Sequence, residues 1–562
     1  MRREVSVVNK KVCSFPILFA LLALVIGTCA VVFPASAQAA PTSTGSITVS
    51  GTVASSYDAY QIFSANVVDG DSDAKIATEL AWASDAVRDA ALPVLHSAGM
   101  PNSQTTAQEA AEWLNTDSHL TSALSAQLAR SLQSSGAVSV ALNAGTTAEL
   151  PCGYWLIVAD DDAIAQGEAG TAPIMALVGG SAVTVKPKAA TPKVAKHVLE
   201  DSTAAWQKAA DATVADDLYW RLSATVPAGL TAYDTYTVRF VDTMSAGLDP
   251  SKVAASMRVY VAAGADGGFD AVSAGKDGCA GTEPAKGWTD ITAQCATKVA
   301  ADGTFTVRTG DLIAALGGAD AFTAGARVVA VYNAPLNGAC NHGIAKGNPN
   351  EVYLRYPRSP FADQSGDAGF TRTPSDDACA YTWDLALTKR GSDGDKPLSG
   401  AVLSIADDRS RTLAADGTWD AEGKATVTTG EDGRVTVSGV DSGKLEVREL
   451  KAPKGYTAFE GTRSVTVKAE GLDVDQVAAA KPKLTITAES PLRADSADGS
   501  TGSLEASLIN TPTGTPPSIT TGGFMPSTGD MAMYAAAAAA VAGAALIVVA
   551  LLVKRGGGSH KE

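Results

Sequence analysis

Five residues near the C-terminus, Met525-Pro526-Ser527-Thr528-Gly529, precede an apolar run from Met531 to Val553 and a basic pair, Lys554 and Arg555. The proline bends the backbone there, and the glycine leaves the peptide bond after Thr528 with no side chain beyond it. The other reactive groups are amines, carboxyls and amides set in strand-like sequence. Lys389 closes Leu385-Ala386-Leu387-Thr388-Lys389, Glu449 lies in Leu445-Glu446-Val447-Arg448-Glu449-Leu450, and Asn510 follows Ser507-Leu508-Ile509. A second set has Lys196 in Val194-Ala195-Lys196-His197-Val198, Asp242 in Phe240-Val241-Asp242-Thr243-Met244, and Asn350 in Gly347-Asn348-Pro349-Asn350-Glu351-Val352. An amine enclosed by apolar side chains tends to lose its charge, and an acid there tends to keep its proton. A carboxamide held against both can be attacked with loss of ammonia. Such a reaction happens once and calls for no cofactor.

These windows carry resemblances. The pentapeptide, apolar run and basic pair together resemble the sorting signal of sortase substrates, with Met525 where leucine is usual. The resemblance implies that a sortase cysteine attacks Thr528, releases Gly529 with the tail, and passes the chain to an amine. Residues 389 to 510 resemble the collagen-adhesin B-type domain, whose first-strand lysine, acidic residue before an Ala-Pro-x-Gly-Tyr motif (here Ala452 to Tyr456) and last-strand asparagine form an isopeptide bond. This implies Lys389 and Asn510 as the bonded pair and Glu449 as the proton shuttle. The second set resembles the middle domains of Gram-positive shaft pilins, with Lys196 and Asn350 as the pair and Asp242 as the shuttle. Asn348 and Asn337 stand as alternatives to Asn350, and Lys193 as an alternative to Lys196. The connector Val185-Lys186-Pro187-Lys188 is similar to the pilin motif Val-Tyr-Pro-Lys, with Lys186 in place of tyrosine. It implies Lys188 as the amine that receives Thr528 of the next subunit, with Lys186 as the alternative. Tyr57-Asp58-Ala59-Tyr60-Gln61-Ile62-Phe63 and Gly153-Tyr154-Trp155-Leu156-Ile157-Val158 resemble N-terminal domains of the same pilins.

The elements that would hold these groups follow from pattern. Arg2, Arg3, Lys10 and Lys11, an apolar stretch from Phe15 to Phe33, and the small residues Ala35 to Ala40 make a secretory signal over 1–39, cut after Ala37 or Ala39. The run 530–553 is long enough to span a bilayer as a helix, with 554–562 as its basic cytoplasmic tail. Between the ends, short alternating runs broken by Gly, Asp and Asn, with only 6% aromatic residues, predict a mainly β chain of three tandem Ig-like β-sandwiches. The first, 40–188, carries a helical insertion predicted over 106–114 and 120–132; the second spans 189–380 and the third 381–512. A stalk over 513–524, rich in Thr, Pro and Gly, leads to the sorting motif at 525–529.

Seven cysteines occur, two of them, Cys13 and Cys29, in the signal. Outside the cell the rest can pair, and the expectation is Cys279 with Cys295 and Cys340 with Cys379, leaving Cys152 over. The five histidines are scattered and no Cys/His grouping has zinc spacing, so no metal is expected. Asp69-Gly70-Asp71-Ser72-Asp73 lacks the rest of a calcium loop and is expected to be a turn.

A formal charge of -16 argues against nucleic acid as a partner. The resemblances imply a structural subunit of a covalent surface pilus, polymerised through Thr528 and Lys188 and stiffened by internal bonds; it would be a sortase substrate and not an enzyme. Expected partners are class C and housekeeping sortases, identical subunits, minor pilins, peptidoglycan and a host receptor, with membrane contact only before sorting. The alternative is a singly wall-anchored or tip adhesin. Both are secreted and held at the cell wall.

Overall fold

In the computed structural model the described residues are 43–71, 74–116, 118–187, 191–228, 230–264 and 287–514. Strands dominate them, in three successive β-sandwich units, because most segments alternate apolar and polar side chains with the period of a pleated strand.

In the first unit, Thr44–Val49 lies between Thr147–Pro151 and Val183–Val185, while Ser56–Asp69 runs down the centre of the facing sheet. Gly153 permits the close pairing there, since a Cβ on it would lie 2.0 Å from the Phe63 carbonyl oxygen. Three helices, Asp85–Ser97, Ala107–Asn115 and Ser122–Ser135, pack Val87, Leu95, Leu114 and Leu128 against Ile62, Phe63 and Leu156. Each starts at a hydroxyl cap, Ser84, Thr106 or Thr121, and Thr106 forms a reciprocal capping box with Glu109. The sequence reading expects only the second and third of these helices. Asp85–Ser97 contains Pro93, a residue that interrupts the helical signal in sequence.

In the second unit the sheet containing Val194–Glu200, Tyr219–Thr225 and Arg327–Asn333 packs on the sheet containing Arg239–Met244, Asn348–Pro357 and Asp376–Tyr381. Its helices are single turns, Val253–Ser256 and Leu312–Ala315. The third unit sets Trp383–Gly391, Arg434–Val440 and Ser503–Pro512 against a sheet that includes Val402–Ala406, Gly443–Lys451 and Thr462–Glu470. The chain passes from second to third unit almost without a break between Tyr381 and Trp383, and Asp211 seals the junction by accepting from Trp383 Nε1 at 2.6 Å and Ser442 N at 3.0 Å.

Strand alternation also places polar groups inside. Lys389 continues the inward row of Trp383, Leu385 and Leu387, and Asn510 continues that of Leu504, Ala506 and Leu508. Lys196, Asp242, Asn350 and Glu449 hold equivalent places beside Val198, Phe240, Val352 and Val447. Each is a polar residue where the pleat demands an apolar one.

Candidate functional site

The third unit brings its three groups together in the core. Trp383–Gly391 and Ser503–Pro512 are parallel neighbours, with Lys389 level with Leu508 and Gly391 level with Asn510. Glu449 reaches in from the opposite sheet, and the Lys389 and Glu449 side chains are both 0% exposed. Lys389 Nζ is in contact with Asn510 Oδ1 and lies 3.3 Å from the Leu508 carbonyl and 3.4 Å from Glu449 Oε1. Asn510 Nδ2 donates to both Glu449 oxygens, at 2.9 and 3.1 Å, and Glu449 Oε2 also accepts from Phe459 N at 3.1 Å. Burial draws the Lys389 amine down to about 8, against the opposing pull of Glu449. One carboxyl thus touches both the amine and the amide nitrogen, the geometry needed to move a proton from one to the other.

The second unit assembles its groups from both sheets. Lys196 is fully buried under the rings of Trp220 and Tyr332, at 5.5 and 5.4 Å, and its Nζ contacts Asp242 Oδ2. Burial lowers Lys196 to about 8 and raises Asp242 to about 6. Asn350 is fully buried as well, yet its hydrogen bond runs to Tyr332, whose hydroxyl lies 2.8 Å from Asn350 Nδ2, 2.9 Å from Lys196 Nζ and 3.1 Å from Asp242 Oδ2. Asp242 Oδ1 and Asn350 Oδ1 are both buried without a partner.

The alternative amides are occupied otherwise. Asn348 exchanges hydrogen bonds with the Asn341 backbone and donates to Ala380 O, and Asn337 braces a loop through Ala246 O and Leu248 O. Lys193 is exposed, as strand period requires of a residue three before Lys196. Tyr332 escapes a reading of the sequence because Val328-Val329-Ala330-Val331-Tyr332 looks like any apolar strand ending in an aromatic.

Lys186 is exposed beside Pro187, and the expected pilin-motif residue Lys188 lies outside the described residues. The same holds for the signal peptide, the sorting residues Met525, Pro526, Ser527, Thr528 and Gly529, and the apolar run after them. Among the described residues no helix is long and apolar enough to cross a membrane. Asp69 closes the strand Ser56–Asp69 and accepts from Ser181 N and Oγ, and Ser72 and Asp73 lie outside the described residues.

Cys340 and Cys379, the expected pair, stand as separate cysteines in this structure. Cys340 packs in the core of the second unit, with its Sγ 3.6 Å from His342 Nε2, whereas Cys379 packs in the core of the third, so the two side chains serve different cores. Cys295 is a free thiol against Ile291 O, while its expected partner Cys279 lies outside the described residues. Cys152 is free and buried among Ala65, Val67 and Leu177.

Residues 384–481 match the family model described as SpaA, a prealbumin-like fold domain. Over 143 residues the chain is 30% identical to the trypsin-resistant surface T6 protein of Streptococcus pyogenes serotype M6, a stretch covering 24% of each protein. The chain therefore aligns with about a quarter of that relative's length. Among solved structures it is similar to the T6 backbone pilin of serotype M6 Streptococcus pyogenes, with TM-score 0.45 and 17% identity over 84% of this chain and 98% of that one. It is also similar to the full-length major pilin SpaD from Corynebacterium diphtheriae, with TM-score 0.41 and 16% identity over 84% of this chain and 100% of that one. The chain thus carries a SpaA prealbumin-like fold domain at residues 384–481.

Proposed function

We propose that this chain is the structural subunit of a covalent surface pilus, secreted, joined head to tail by sortase through Thr528 to Lys188 of the next subunit, and held at the cell wall by its last member. Internal amide bonds, Lys389 to Asn510 and Lys196 to Asn350, stiffen its second and third units, with Glu449 and Asp242 as the acids that serve each condensation. The observation that carries this reading is the buried contact of Lys389, Glu449 and Asn510, which ties the first strand of the third unit to its last. Burying an amine and a carboxyl in an apolar core is costly. That cost is understandable where the groups are reactants whose product is a neutral amide.

Such a link suits a load-bearing shaft. Tension entering at Trp383 and leaving beyond Asn510 then runs through a covalent cross-link between adjacent strands rather than through their hydrogen-bond ladder. Class C and housekeeping sortases, identical subunits, minor pilins and peptidoglycan are the partners this role requires. The test is the intact mass of the mature chain. Loss of two ammonia molecules relative to the sequence is expected, and a mass equal to the plain sequence removes the internal bonds from the proposal. Wall extracts should show a high-mass ladder, and its absence leaves the singly anchored adhesin as the better reading.

A further inference from the structure

The two buried sites use acids of different length. Glu449 spans from Lys389 to Asn510 Nδ2, which donates to its carboxyl oxygens, so a single carboxyl bridges the attacking and the leaving nitrogen. Asp242 is one methylene shorter and reaches Lys196 while making no hydrogen bond to Asn350. In the second unit the gap is filled by the Tyr332 hydroxyl, which touches Lys196 Nζ at 2.9 Å, Asn350 Nδ2 at 2.8 Å and Asp242 Oδ2 at 3.1 Å.

We propose that Tyr332 is a catalytic residue of the second unit, relaying a proton from the attacking Lys196 amine to the departing Asn350 nitrogen, a task that Glu449 performs alone in the third unit.

This inference rests on the proposed Lys196–Asn350 bond. The donor count supports it. A hydroxyl has one hydrogen and two lone pairs, so Tyr332 can donate to Asp242 Oδ2 while accepting from Asn350 Nδ2 and from Lys196 Nζ. A neutral Lys196 amine then spends its two hydrogens on Tyr332 and Asp242 and keeps its lone pair for the Asn350 carbonyl carbon. A proton on Asp242 Oδ1 gives a donor to one of the two buried oxygens without a partner and leaves it available to polarise the other, Asn350 Oδ1. Burial holds the Tyr332 phenol well above its ordinary value, so the hydroxyl keeps its proton until a stronger base forms beside it.

The step balances. Lys196 Nζ bonds to the Asn350 side-chain carbon; as the tetrahedral centre collapses, the carbon–Nδ2 bond breaks. In the tetrahedral centre Nδ2 is an amine with a free lone pair, so the Tyr332 hydroxyl turns its proton from Asp242 to Nδ2 while its oxygen takes one Nζ proton, and ammonia leaves. Tyr332 ends as it began, and nothing is oxidised or reduced.

The experiment follows bond formation from the moment of synthesis, by intact mass and peptide mapping of the mature chain ending at Thr528 made by cell-free translation. The Lys389–Asn510 bond in the same molecules is the internal clock. Tyr332→Phe is expected to slow formation of the Lys196–Asn350 bond about a hundredfold, within the usual range for loss of proton transfer, and to leave the other bond unchanged. Adding Asp242→Glu to Tyr332→Phe lengthens the acid and should recover at least a tenth of the lost rate. An unchanged rate in Tyr332→Phe overturns the relay. A slow rate that Asp242→Glu does not recover assigns Tyr332 to packing alone and overturns it too. Wild-type chain that never loses the second ammonia overturns the underlying Lys196–Asn350 bond instead, an outcome visible before any variant is made.

Discussion

Lys389 and Asn510 lie on parallel neighbouring strands, two positions out of level, so the long lysine side chain reaches along its strand to the asparagine amide inside the core. Neither group meets water there, and both meet Glu449. A cross-link between them would close a loop of 121 residues.

Preventing that bond by Lys389→Ala should therefore destabilise the third unit. Loop-closure entropy for a cross-link of this length is worth about 4–5 kcal/mol, and the stranded Glu449 adds to the loss. Calorimetry of the mature chain should show a large fall in the Tm of one transition, with only one ammonia lost relative to the variant's own sequence. An unchanged Tm would mean that the bond carries no stability.

Bond formation in the second unit should depend on pH as a plateau with two falling edges. The reactive pair is neutral Lys196 with protonated Asp242, which has the same proton count as the charged pair and titrates with it as a unit. Below about 6 an extra proton leaves Lys196 charged, and above about 8 the acid proton is gone, so the rate should drop on both sides. Time courses of ammonia loss across this range check it; a rate that climbs steadily with pH would show that Asp242 is not needed as an acid.

Polymer formation should depend on the connector. Lys188→Arg is expected to abolish the high-mass ladder in wall extracts, because a guanidinium does not attack a thioester, whereas Lys186→Arg should leave it intact. The reverse result would move the acceptor amine to Lys186.

The junction of the second and third units gathers Glu200, Asp201, Asp211 and Asp441, with Arg409 facing Asp201 at 3.4 Å. Burial first, then Asp211, pushes Glu200 up to about 7, and burial also raises Asp201 and Asp441. Carboxyls raised in this way stabilise the folded junction while they are protonated and lose that contribution as pH rises through the folded values. Thermal unfolding should thus occur at higher temperature at about pH 5 than at about pH 8, and Glu200→Gln should flatten the difference. Equal slopes in variant and wild type would show that the cluster does not titrate in this range.

The free thiols give a simple check. Cys340 and Cys379 should both react with a maleimide after denaturation without reductant. A bridged peptide pair under non-reducing mapping would restore the disulfide.

Much of this protein could be read from local pattern, because a polar residue inside an alternating apolar row already has its direction set by the pleat. Lys389 after Leu385 and Leu387, Asn510 after Leu508, and Glu449 after Leu445 and Val447 follow that rule, and strand period separates Lys196 from Lys193. The mainly β class and the helices starting at Thr106 and Thr121 are equally local, resting on alternation and on capping residues. Other features depend on which strands end up face to face. Asn350 and Asn348 are both buried on one side of one strand, and only packing decides that Asn348 is spent on the Asn341 backbone while Asn350 meets Tyr332. Tyr332 lies 136 positions from Lys196, in a strand whose sequence has nothing to mark it, and enters the site because the two sheets close over the same core. Cys340 and Cys379 show the same division: sequence cannot fix which cysteines pair, and only the fold places Cys340 beside His342 and Cys379 among the buried residues of the third unit.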